Sequence, residues 1–179
     1  MSKLIIQEHK SSSYAPRTYH NASVADITVA IALDFDTAGE KLTKKAAGDK
    51  YIHFDLRSDP LPCARVLYQR MKRDGCKTMN IAGNSIYTCQ KYGWIQEKVN
   101  LWLLHLLSPI HEHIGIDHLY SGAQTGLDIA AGVCSVIMDI PCTMTLPKGY
   151  KMRFEDGKDI EQSQHDVYNY VMRMVEEIS

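Results

Sequence analysis

A chain of 179 residues fits one ordinary globular domain, and 45% hydrophobic with 23% charged residues excludes disordered, collagen-like and coiled-coil classes. Twenty Lys and Arg against twenty-one Asp and Glu leave a formal charge of -1, so the chain as a whole has no electrostatic reason to hold long nucleic acid or an anionic membrane. Its most apolar runs, Leu101 to Leu107 and Ile129 to Met138, are too short to span a bilayer.

Taken in chain order, the N-terminus lacks the long apolar stretch and small-residue cleavage site of a secretory signal, which predicts a cytoplasmic protein. Residues 1–25 are polar, with Ser11-Ser-Ser-Tyr-Ala-Pro16 and no sustained period. They read as a draped extension that adds little core. Residues 26–179 read as a single domain, in which short β-branched runs alternate with helical patterns, the sign of βαβ units around a parallel sheet. The predicted strands are 27–33, 51–54, 78–82, 116–120 and 142–146. The predicted fold is therefore α/β, a Rossmann-like three-layer domain with about five mainly parallel strands.

Between these strands, Thr37 and Glu40 have the spacing of a capping box and start a helix. Asp59, Pro60 and Leu61 open the next, which Asp74-Gly75 ends. Ile95, Val99, Trp102, Leu106 and Ile110 follow helical spacing, with Pro109 as the stop and His111-Glu-His113 as a polar helix end, poorly spaced for zinc. Trp94 to Ile110 carries more apolar surface than one inner stripe needs, which predicts self-association. A helix over 126–138 and a last one with Val167, Val171, Met174 and Val175 on one stripe complete the set. Five cysteines, odd in number and scattered, predict reduced thiols and neither a disulfide framework nor a structural zinc site.

In a parallel α/β sheet the ligand site lies beyond the carboxyl ends of the strands. Ser121-Gly-Ala-Gln-Thr-Gly126, followed by Asp128, is the strongest signal there. Gly122 permits close backbone approach, and the amides of Gln124, Thr125 and Gly126 can face outward at a helix N-terminus, as a phosphate cradle requires. An ordinary turn with a Thr cap fits the same spacing. Neither G-x-G-x-x-G nor G-x-x-x-x-G-K-[ST] occurs, which disfavours dinucleotide oxidoreductases and P-loop NTPases.

The run Ser121-Gly-Ala-Gln-Thr-Gly-x-Asp128, then Ile140-Pro141, Leu146-Pro-Lys-Gly149 and Glu155-Asp-Gly157, resembles the pattern S-G-G-Q-T-G-x-D, I-P, P-K-G, E-D-G of the molybdenum carrier family. That family lies in the SLOG superfamily of Rossmann-like nucleotide-binding folds, and Ile81-Ala-Gly83-Asn-Ser85 is similar to its first glycine loop. The likeness covers roughly Asn80 to Lys158. Ala123 stands where the pattern has a second glycine, and glycine is needed there only if that residue has positive φ. The resemblance implies a nucleotide, a nucleotide-derived messenger or a phosphorylated pterin-like cofactor as ligand. It fixes no reaction, because the P-G-G-x-G-T-x-x-E motif of the superfamily's N-glycoside hydrolases is missing.

Asp128 is the one candidate catalytic carboxylate if the protein is an enzyme; a first-turn carboxylate favoured by the helix dipole is the plain alternative. Asp34 and Asp36 flank Phe35 and point to one side in extended backbone, which suits Mg²⁺ or ribose hydroxyls, while Asp36 equally suits a cap beside Thr37. Asn84, Ser85 and Thr88 suit a phosphate or base, or Asx-turn chemistry. Tyr87 is placed to stack on a base, and Lys148 and Arg153 are the nearest cations for a phosphate. Three functions follow: a binder that senses or sequesters a nucleotide-derived molecule, an N-glycoside hydrolase of a small nucleotide, and a molybdenum cofactor carrier, the last on the family's name alone.

Overall fold

The chain enters through a strand where the sequence predicts a draped arm. In the computed structural model, which describes residues 3–179, β1 (Leu4–Glu8) pairs in parallel with residues 142–146, and Ile6 is buried. It is followed by α1 (Tyr14–Val24), whose buried residues are Arg17, Asn21 and Ala22. Residues 4–24 are thus part of the layered fold. The hydrophobic pattern misses them because the buried stripe of α1 is mostly polar.

Next come β2 (Ile27–Ala32), α2 (Ala38–Ala47), β3 (Tyr51–Asp55), α3 (Pro60–Asp74), β4 (Thr78–Gly83), the short α4 (Ile86–Cys89) and α5 (Gln96–Ile114). The chain closes with β5 (His118–Ser121), α6 (Leu127–Met138), β6 (Cys142–Leu146), the hairpin β7 (Met152–Arg153) and β8 (Asp159–Ile160), and α7 (Gln164–Ile178). All six residues of β2 are buried, as a central strand of a sheet covered on both faces requires. The main sheet has six parallel strands in the order β1-β6-β5-β4-β2-β3, one more than predicted.

The caps explain most helix limits. Thr37 Oγ1 accepts the Glu40 N–H at 3.2 Å, but Glu40 is itself buried, and its carboxylate does not close the expected capping box. Asp59 caps α3 with Pro60 in the first turn, and Gly75, in the left-handed region, ends it. A reciprocal box between Ser163 and Asp166 starts α7. Pro109, predicted as a stop, lies inside α5, and His111 and His113 fall in its last turn. Tertiary burial of Val99, Trp102, Leu103, Leu106, Leu107 and Ile110 carries the helix through the proline.

Two helices, α1 and α2, cover one face of the sheet; α3, α5, α6 and α7 cover the other. Helix α5 lies between α3 and α6 and also touches α7, so most of its apolar positions are buried within the chain, while Leu101 and Leu104 are partly buried and Ile95, just before it, is exposed. Among the described residues no helix is long and apolar enough to cross a membrane.

Candidate functional site

From β2 the chain moves outward to β3, then returns past β2 to β4 and continues in the opposite direction to β5 and β6. The carboxyl ends of β2 and β4 are therefore a topological switch point, where adjacent connections leave on opposite faces and a crevice opens. A cavity of about 360 Å³ occupies that crevice. Tyr14, Arg17, Thr18 and Asn21 of α1 form one wall; Thr37, Glu40 and Thr43 form another. Asn80 of β4 and Gly83, Asn84, Ser85 and Thr88 beyond it line the sheet side, Gly122, Gln124 and Asp128 come from the β5–α6 connection, and Arg153 from the hairpin.

Buried charge concentrates here. Arg17 Nη1 meets Asp128 Oδ2 at 3.3 Å, with side-chain exposures of 10% and 6%. Arg17 Nε, both polar atoms of Asn21 and Glu40 Oε2 are buried without a hydrogen-bond partner among the described residues, and the Asp128 carboxylate is faced by the Gly83 and Gln124 amides besides Arg17. All four residues line the cavity. Buried polar groups in native proteins are nearly always satisfied, so this concentration beside one polar cavity singles it out as the candidate site. Burial pushes the Glu40 carboxyl up to about 8, with the charges of Asp128 and Asp34 adding to it. Burial also pushes Asp128 up to about 6, against the opposing pull of Arg17 and of the Gly83 and Gln124 amides.

The loop expected to cradle phosphate has its amides engaged within the protein. The N–H of Ala123 donates to Ser121 Oγ, that of Thr125 to Gln124 Oε1, that of Gly126 to Gln96 Oε1 and that of Leu127 to the Asn84 carbonyl. The Gln124 N–H is directed to Asp128. Gly126 has φ +89, and a Cβ there would lie 2.1 Å from the Asn84 carbonyl oxygen, so its glycine serves backbone packing. Gly122 gives way to Arg17: a Cβ would stand 1.4 Å from Nη1 and 2.8 Å from Asp128 Oδ2. Ala123 does take positive φ, 55°, at the position where the family pattern has glycine.

Of the residues singled out from sequence, the cavity gathers Thr37, Gly83, Asn84, Ser85, Thr88, Gly122, Gln124, Asp128 and Arg153. Asn84 also clamps the switch point, its Oδ1 accepting the Leu33 and Asp34 amides and its Nδ2 donating to the Asp34 carbonyl. Ser121 is fully buried and donates to the Asp128 carbonyl at 2.7 Å; Thr125, also fully buried, joins Ile86 N–H to the Arg153 carbonyl. Ala123 and Gly126 likewise stay out of the cavity lining.

Asp34 and Asp36 lie outside the cavity lining. Asp34 Oδ1 accepts the Asp36 N–H at 2.8 Å, Asp36 is exposed, and the cap beside them is Thr37. Among the described residues no group of three or more His, Cys, Asp or Glu is placed to hold a metal ion. Tyr87 packs near Gly157 under Lys91, and Lys148 is exposed; neither lines the cavity. Arg153 pairs with Asp159 at 3.0 Å at the hairpin.

Sequence reading passes over Tyr14, Arg17, Asn21 and the inward role of Glu40. A signal does exist: Tyr14, Arg17, Thr18 and Asn21 recur at spacings of three and four, one polar stripe of a helix. Glu40 is hidden by the cap spacing that accounts for it equally well. No protein-family model, curated protein or solved structure matches the chain.

Proposed function

We propose that the chain binds a nucleotide or nucleotide-derived signalling molecule in the switch-point cavity, for sensing or sequestration. The observation that carries this reading is a polar cavity at the switch point of a parallel sheet, lined by the buried polar residues Arg17, Asn21, Glu40 and Asp128. The resemblance of Ser121 to Asp128 to the SLOG pattern supports the same ligand class. With the loop amides engaged, a phosphate would be met by side-chain cations, Arg153 foremost, and not by a backbone cradle.

Denaturing the freshly purified protein and weighing the released small molecules by mass spectrometry tests the reading. A nucleotide-sized species near one per chain is the expected result. No such species, together with no rise in melting temperature across a panel of millimolar nucleotides, would count decisively against it.

One observation favours a second reading, an N-glycoside hydrolase. Glu40 and Asp128 are two buried carboxyl groups lining one cavity, and burial pushes the first up to about 8 and the second up to about 6. Values set apart in that way suit a general acid and an ionised partner. Incubation with nucleotides would then yield free base and a ribose phosphate, and Asp128→Asn would lose turnover while retaining binding.

A further inference from the structure

We infer that the β7–β8 hairpin is a strap at the edge of the switch-point cavity, that its outer strand β8 opens and closes, and that Asp159 is the latch. The inference concerns access to the cavity and goes beyond the nucleotide-binding reading, since it holds for any guest.

The two strands of the hairpin are held in different ways. In β7, Met152 is fully buried, and Phe154 just beyond it packs on Tyr170 with ring centroids 5.9 Å apart. The Arg153 backbone is tied on both sides: its N–H donates to Gln124 Oε1 at 2.5 Å, and its carbonyl accepts the Thr125 hydroxyl. Strand β8 has no such anchor, because Asp159 and Ile160 are exposed and so are the flanking Lys158 and Glu161. It pairs with β7 only through Met152–Ile160 and Arg153–Asp159, and an isolated two-stranded ribbon is marginal in water.

Beyond that ladder, the Asp159 carboxylate ties β8 to the cavity wall. Its Oδ1 accepts the Tyr14 hydroxyl and Arg153 Nε, each at 3.0 Å, and its Oδ2 accepts Arg153 Nη2 at 3.4 Å. Tyr14 comes from α1 and Arg153 from the hairpin, and both line the cavity, so this carboxylate spans the seam between two parts of one wall. The side chains of Arg153 and Asp159 are 41% and 30% exposed. Ion pairs so open to water are worth little and weaken with salt, so the latch holds the strap closed and gives way at small cost, as a segment that admits a ligand must. Its release also frees the Arg153 guanidinium at the cavity wall.

Thiol labelling of the full chain reads access without a ligand. Ser85 lines the cavity and its side chain makes no cap bond to α4, so Ser85→Cys places a thiol there, while the five native cysteines are buried. With a bulky uncharged maleimide at fixed pH, adding Asp159→Ala should speed labelling at least about threefold. Tyr14→Phe should speed it less, because the Arg153 pair survives. Rising salt should speed labelling of the latched protein and leave Asp159→Ala unmoved. Asp156→Ala removes another carboxylate of the hairpin, one that takes the Lys158 N–H inside the turn, and should leave the rate unchanged. A thiol at exposed Gln69 of α3, introduced as Gln69→Cys, should label at one rate in every background. Hydrogen exchange followed by mass spectrometry should rise with Asp159→Ala across residues 157–162 and stay level in β2 and β4. Unchanged labelling at Ser85→Cys on loss of Asp159, equal acceleration by Asp156→Ala, or exchange that rises in β2 and β4 together with the hairpin overturns the inference. None of these outcomes bears on nucleotide binding, which the release of small molecules on denaturation decides.

Discussion

Glu40, buried against Asp128 and Asp34, gives the protein a pH dependence opposite to that of a salt-bridged carboxylate. Its folded value of about 8 stands above the ordinary 4.5, so the native state holds the proton more tightly than the unfolded chain. The stability this contributes is complete below 4.5 and is lost as pH rises toward about 8. Asp128, raised from 3.8 to about 6, acts in the same direction over a lower window. Between pH 6 and 8 the parent should therefore lose stability, on the order of 1 kcal/mol per pH unit. Glu40→Gln should flatten that slope, as urea unfolding at pH 6, 7 and 8 would show; parallel slopes in parent and variant would refute the assignment. Ala123 illustrates another residue-scale tension. Its φ of 55° costs an alanine roughly 1–2 kcal/mol relative to the usual region, and the Ser121 hydroxyl that accepts its N–H helps hold it there.

At the scale of elements, α1 and β1 carry the largest departure from expectation. Strand β1 covers the outer edge of β6 through a register running from Leu4–Cys142 to Glu8–Leu146, and α1 brings Arg17 and Asn21 to the cavity. A chain beginning at Ala25 would expose the β6 edge, uncover the sheet face and α2 surface that α1 packs on, and strip Asp128 of its buried partner. Its melting temperature by circular dichroism should fall by more than about 10 °C, because breaking a buried pair alone costs roughly 3–5 kcal/mol. A melt unchanged from the parent would restore the view of residues 1–25 as a dispensable extension. Helices capped by local chemistry, α3 above all, were open to sequence reading because Asp59, Pro60 and Gly75 act within a few residues of themselves. The passage of α5 through Pro109 was not, since burial against α3, α6 and α7 decides it.

For the whole molecule, the chain's own α3, α6 and α7 cover much of the apolar surface of α5 on which the expectation of self-association rests, while Ile95 stays exposed. Light scattering at micromolar concentration should give more than the 20.3 kDa of one chain if the exposed apolar residues, Ile95 or Leu61 and Val66, form an interface, and a mass of one chain would overturn that expectation. By itself the sequence determined the layered α/β class, five of the six sheet strands and the β5–α6 connection as a loop of interest, because apolar periodicity, turn residues and caps are local properties. Only the tertiary structure decided which polar side chains meet. Arg17 and Asp128 lie 111 residues apart, and Glu40 turns from a cap partner into a buried cavity acid once α1 closes over it. Periodicity detects apolar faces, so an inward polar stripe becomes visible only when folding buries it beside the groups that leave its bonds unfilled.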